Sequence, residues 1–213
     1  MIPYKYSVFL NVPFDRTYRP LLEAAVFAIY DCGFVARCAL EDDDASWVRV
    51  DKIYDLISHS KYGIHDLSRV TLDHVHHLPR FNMPLELGLW LGAKRFGSKR
   101  DKQKRALVLD KLSHRYQIFC SDIAGQDAAS HNNDTATIIR RIRDWLRNSP
   151  DYKNVAFPGA DTLIDRYYRF RAQLPTLCRV RGLNFRSLEF NDYTTIVAGW
   201  LIVNPTKFTT EHS

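Results

Sequence analysis

Short apolar runs alternate with helix-length segments through the first two thirds of this chain, and that alternation leaves few folds open. Ser7–Val8–Phe9–Leu10–Asn11–Val12 reads as a compact strand, followed after a Pro13–Pro20 loop by a helix from Leu21 to Asp31. Cys32–Gly33 ends that helix, glycine being common just past a helix terminus. Phe34 to Leu40 predicts a second strand that runs into the acidic turn Glu41–Asp42–Asp43–Asp44. A helix from Ser46 to Ser58, a strand around Gly63–Ile64–His65, a helix from Pro84 to Arg95 and a strand from Arg105 to Asp110 complete the series. Strands alternating with helices predict a parallel sheet covered on both faces, that is, a doubly wound α/β fold.

The pattern changes after Asp110. Tyr116 to Ile123 predicts a short helix. Asp134 to Arg147 predicts an amphipathic one, with Ile138, Ile139, Ile142, Trp145 and Leu146 opposite Arg140, Arg141 and Arg143. Asn148 to Gly159 reads as a linker with Pro150 and Pro158, and beyond it come helices over Ala160–Leu174, Pro175–Arg181 and Asn191–Leu201. The organisation expected is an α/β domain over 1–147 with a helical C-terminal extension over 148–213 packing on it. A chain of 213 residues, 46% of them hydrophobic, suffices for both.

Composition narrows the partners. No secretory leader pattern opens the chain, and its longest apolar patch, Thr194 to Val203, is too short to cross a membrane. Cys32, Cys38, Cys120 and Cys178 are scattered without metal-ligand spacing, so they read as reduced cysteines of a cytoplasmic protein. The histidines of Asp73–His74–Val75–His76–His77 could bind metal, but an exposed loop is the simpler reading, and no metal or cofactor is expected. The net charge of +6 is concentrated between Lys94 and Arg105. That run lies between a helix and a strand and carries only Phe96 for base stacking, so nucleic acid is not the expected partner. The same field attracts small anions, dinucleotides included.

Two acids stand where open α/β sheets bind ligands, at the carboxyl ends of strands. Asp66 follows the third predicted strand in Tyr62–Gly63–Ile64–His65–Asp66–Leu67–Ser68–Arg69. Glu86 falls in the first turn of the helix in Arg80–Phe81–Asn82–Met83–Pro84–Leu85–Glu86–Leu87–Gly88, with Pro84 suited to the first helical position and Asn82 or Met83 as cap. Glu86 could simply complement the helix dipole or close a capping arrangement with Asn82. An unpaired carboxylate in so apolar a helix is costly, however, and the company of Asp66 favours chemistry. Asn11, Asp15 and Arg16 on the first loop, Ser68 and Arg69 after Asp66, and Asn82 are candidate substrate-binding residues. Arg69 and Arg80 could equally be structural ion-pair partners of Asp66 and Glu86.

The Asn11–Val12–Pro13–Phe14–Asp15 loop, Asp66 after its strand and Pro84–Leu85–Glu86–Leu87–Gly88 together resemble the nucleoside 2-deoxyribosyltransferase-like fold. That fold is flavodoxin-like and similar in outline to the bacterial TIR domains that cleave NAD. Ile64–His65–Asp66–Leu67–Ser68–Arg69 with Phe81–Asn82–Met83–Pro84 also resembles a group of small bacterial proteins of uncharacterised function. The resemblance spans Tyr6 to Asp110. It implies that Glu86 is the nucleophile at the anomeric carbon and Asp66 holds the sugar. The substrate would be a nucleoside, nucleotide or NAD, and since the transferases complete their sites across subunits, a homo-oligomer is compatible with it. Two departures stand out: Phe81–Asn82–Met83–Pro84 replaces the usual glycine-rich lead, and the base-binding loop has no evident counterpart. The expected function is cleavage or transfer at an N-glycosidic bond. The alternative is a non-catalytic nucleotide-sensing or protein-interaction module in a bacterial defence or signalling system.

Overall fold

The computed structural model describes residues 3–70, 72, 78–123, 125, 127–152 and 155–206. Five strands, β1 (Ser7–Asn11), β2 (Val35–Arg37), β3 (Tyr62–Asp66), β4 (Arg105–Asp110) and β5 (Ala129–Ser130), form one all-parallel sheet in the order β2-β1-β3-β4-β5. Helices α1 (Arg19–Asp31), α2 (Arg49–Ser58), α3 (Asn82–Phe96), α4 (Thr135–Arg147), α5 (Ala160–Val180) and α6 (Phe190–Val203) flank it. The architecture is flavodoxin-like and doubly wound. Among the described residues no helix is long and apolar enough to cross a membrane.

The pleat sorts the side chains between the two faces. Val8, Leu10, Tyr62, Ile64, Leu107 and Leu109 join α1, α4, α5 and α6 in the main core. Their strand neighbours point the other way: Phe9 meets Trp90 of α3 and Ile53, Leu56 and Ile57 of α2, while Val108 meets Leu87 of α3. Gly63 is required on that second face. A Cβ there would lie 2.7 Å from His65 Nε2 and 2.9 Å from the Trp90 ring, which stacks on Phe9.

Helix α1 is apolar on nearly every side because it is enclosed on every side. Ala24, Ala25, Val26, Phe27, Ala28 and Ile29 are all buried. Phe27 stacks on Phe170 of α5 at 5.2 Å and also meets Tyr167 and Trp200. The C-terminal helices therefore share one core with the sheet domain. A bidentate Arg166–Asp31 pair, 2.7 and 2.9 Å, fastens α5 to the end of α1.

Several boundaries differ from the sequence expectation. Helix α5 runs unbroken through Pro175, because the buried stripe Leu163, Tyr167, Phe170, Leu174 and Cys178 continues across it. That packing outweighs the hydrogen bond that proline cannot donate. Tyr116–Ile123 forms two short 3₁₀ turns, Arg115–Ile118 and Ser121–Ile123, in place of one helix. Helix α3 begins at Asn82, before Pro84, with no side-chain cap. Pro84 is its third residue, where the helix still makes no demand on an N–H. The basic run is partly structural: Lys104 is fully buried, donating to the carbonyls of Ile57 and Ser60 and lying 4.8 Å from the Trp90 ring centre. Burial pushes its ammonium down to about 8.

Candidate functional site

Alternation along β3 sends consecutive residues to opposite faces. Asp66 turns towards α1 and is fully enclosed. Its Oδ2 accepts the Tyr18 hydroxyl at 2.6 Å and lies 3.0 Å from His131 Nε2, while Oδ1 accepts the Ser68 backbone N–H at 2.8 Å. The His131 Nδ1 atom accepts the N–H of Asn133 at 3.0 Å, which leaves the ring proton on Nε2, facing Asp66. Asn132 and Asn133 hold φ of 53° and 55°, a region asparagine tolerates better than most residues. Burial pushes the Asp66 carboxyl up, but His131, Ser68 and Tyr18 together outweigh it and hold the group below its ordinary value. Asp66 thus ties together the lead into α1, the end of β3 and the turn before α4.

His65 turns the other way. Its Nδ1 accepts from Asn11 Nδ2 at 3.0 Å, and the same amide nitrogen donates to the Met83 carbonyl in the first turn of α3 at 2.8 Å. Burial drives His65 down to about 3, so it is neutral at physiological pH. Asn11, itself 1% exposed, fastens the end of β1 to α3.

Glu86 lies one turn into α3, on the face that looks at α2. With Asn82, Leu85 and Leu89 of its own helix and Arg49, Val50 and Ile53 of α2, it lines a cavity of about 180 Å³. The residue is 8% exposed and makes no hydrogen bond or ion pair to a described residue. Burial raises its carboxyl from an ordinary 4.5 to about 7, and the Arg49 guanidinium offsets only part of that rise. Exposed Trp47, Val48, Phe81 and Leu85 stand at or just before the starts of α2 and α3, the two helices that line this cavity.

The structure thus divides residues that the sequence groups together. Glu86 and Asn82 share a cavity. Asp66 does not join them: it belongs to the α1 face, whereas Glu86 sits between helices of the other face. Ser68 is buried beside Asp66. Asp15 accepts from the N–H groups of Thr17 and Tyr18 and organises the turn into α1. Arg69 reaches Thr17 Oγ1 at 2.8 Å and Asp15 at 3.7 Å, so its partner is not Asp66. Arg80 is exposed, and the cation that bears on Glu86 is Arg49. Arg16 lines a separate cavity beside α1. His131 and Arg49 escape sequence reasoning. The Asn132–Asn133 turn ahead of the Asp134 helix cap is the one local hint of a shaped loop at His131, and Arg49 carries no motif.

His74, His76 and His77 lie outside the described residues. Among the described residues no three His, Cys, Asp or Glu side chains gather closely enough to hold a metal ion, and all four cysteines are free. Comparisons with models of protein families, with curated proteins and with solved structures find no match to this chain. The reading of the site rests on its own residues.

Proposed function

We propose that the Glu86 cavity is an active site for cleavage or transfer at the N-glycosidic bond of a nucleoside, nucleotide or NAD. One observation carries the reading: a carboxylate with no hydrogen-bond or ion-pair partner among the described residues, in a largely apolar wall at the carboxyl end of a parallel sheet. Carboxylates shifted by burial and aimed into a cleft are characteristic of functional sites. In the proposed step a Glu86 oxygen bonds the anomeric carbon as the C–N bond breaks, and the bonding pair leaves with the base. Water or an acceptor base then displaces Glu86, and the proton it loses goes to the departed base where that left as an anion. A carboxyl near 7 is more basic than an ordinary one, yet ionised in about half the molecules at neutral pH. Asn82 would hold a sugar hydroxyl. Against the roughly 300–1,000 Å³ of common ligand pockets, about 180 Å³ admits one ring, with the rest of the substrate over the apolar rim.

The second reading, a nucleotide-sensing module, draws on the absence of another acid among the residues lining the cavity. Glu86 would then accept a hydrogen bond from the ligand. Incubation of the protein with NAD and a panel of ribo- and deoxyribonucleosides, with free base followed by chromatography, decides between them. Base release that disappears in Glu86→Gln supports catalysis. No release at high protein concentration overturns it, and ligand binding without release favours sensing.

A further inference from the structure

The strongest remaining feature lies on the other side of the sheet, between α1, α5 and the start of α6. Two cavities there, of about 330 Å³ and about 560 Å³, share Arg16, Arg19 and Glu23 as a common wall. The larger also takes Arg171 and Arg186 into its lining, so four guanidinium groups face one carboxylate. That carboxylate is already engaged. Glu23 is 6% exposed and accepts from Arg19 Nε at 2.9 Å and from Arg171. The rest of the Arg19 fork is spent on backbone carbonyls, at 3.0 Å to Arg186 and 3.1 Å to Leu188. Arg16 and Arg186 remain, with no hydrogen bond or ion pair from their side chains to a described residue.

The smaller cavity is of a different character. Phe14, Leu22, Leu40, Phe190 and Tyr193 give it apolar and aromatic walls, with Glu189 as its one further acid. The two cavities adjoin at Arg16, Arg19 and Glu23, so that the larger, basic one lies beside the smaller, more apolar one. Guanidinium groups match phosphate oxygens in geometry as well as charge. Aromatic walls match a flat ring.

We propose that these adjoining cavities bind a phosphorylated ligand carrying a flat ring, its phosphate on Arg16 and Arg186 and its ring against Phe14, Leu40 and Phe190. The site shares no lining residue with the Glu86 cavity and stands independently of the reaction proposed there. Among the candidate substrate residues of the sequence it claims Arg16 alone.

Titration calorimetry on the full chain tests it, with AMP as probe and adenosine and inorganic phosphate as its two halves. AMP is expected to bind more tightly than either half, and to weaken as salt is added. Arg16→Ala and Arg186→Ala should each weaken it about tenfold, the loss of one charge-assisted contact. Neither side chain makes a hydrogen bond or ion pair to another described residue, so both variants should melt with the parent. Leu40→Asp should weaken AMP by a separate route, at the ring end. Absence of AMP binding at millimolar concentration, or an affinity indifferent to the double arginine substitution, would each overturn the assignment.

Discussion

A buried carboxylate kept for chemistry should weaken the fold that holds it, and Glu86 gives that expectation a size and a pH window. Folding raises its carboxyl from 4.5 to about 7. Below the ordinary value Glu86 is protonated whether the chain is folded or not, and it contributes no pH dependence. Between the two values the unfolded chain has released the proton and the folded one retains it, so stability falls as pH rises. Above about 7 both states are ionised and the penalty is complete. At about 1.4 kcal/mol per pH unit, the rise from 4.5 to about 7 amounts to a penalty of about 3 kcal/mol. Glu86→Gln keeps the shape and removes the charge. It should therefore be nearly neutral at pH 4.5 and stabilising by about 3 kcal/mol at pH 8. For a chain of this length that is a rise in melting temperature of about 10 °C. Urea unfolding of both proteins across this range measures the difference directly. An equal effect at the two ends of the range, or a destabilised variant at pH 8, would refute the idea that an unpaired, desolvated carboxylate sits there. If the same variant also abolishes base release, the destabilising group and the reactive group are one.

Catalysis by ionised Glu86 should give a kcat/KM that rises with pH and levels off above about 7; a rate flat across neutrality would argue against the carboxylate as nucleophile. Asp66→Ala strips the partner from Tyr18 and His131 and should destabilise by about 3–5 kcal/mol in urea unfolding. Because the Asp66 carboxyl is held below its ordinary 3.8, its contribution is present above that value and lost as pH falls through the lower folded one, so Asp66→Asn should flatten the acid limb of the stability curve. Phe27→Ala opens the contact between α1 and the C-terminal helices and should cost about 3–5 kcal/mol, read as a lower denaturation midpoint. Gly63→Ala forces a methyl against Trp90 and His65; a loss of about 1–3 kcal/mol with an altered near-ultraviolet tryptophan signal is the expected result.

The sheet was legible because its strands are buried on both faces and so read as unbroken apolar runs. β4 falls at Arg105–Asp110, as its run predicts. β5 escaped notice, since two residues paired only to Leu109 and Asp110 carry no pattern of their own. Proline misled at two positions. Pro175 sits inside α5 and Pro84 sits at the third residue of α3, and in each case packing or helix-end geometry overrode the local signal. Glu86 and Asp66 were visible as acids at strand ends. Their separation was not, because a strand's carboxyl terminus fixes height along the sheet and says nothing about which face a side chain takes.

That choice of face accounts for the opposite electrostatics of the two acids. Tyr62 and Ile64 belong to the α1 core, so Asp66, the next residue of that parity, arrives where Tyr18 and His131 can meet it and becomes a stable anion. Glu86 arrives on a helix of the opposite layer, between apolar side chains with Arg49 as its one compensating cation among the described residues, and is left half-protonated near neutrality. Neither value depends on the other acid. In a paired-carboxylate site, removing one acid moves the other, because close like charges push two titrations apart. Here Asp66→Asn should leave the pH dependence of Glu86 chemistry in place while loosening the loops around Tyr18. A shift of that profile in Asp66→Asn, at unchanged stability, would mean that the two carboxylates meet in the working state and that the face assignment fails.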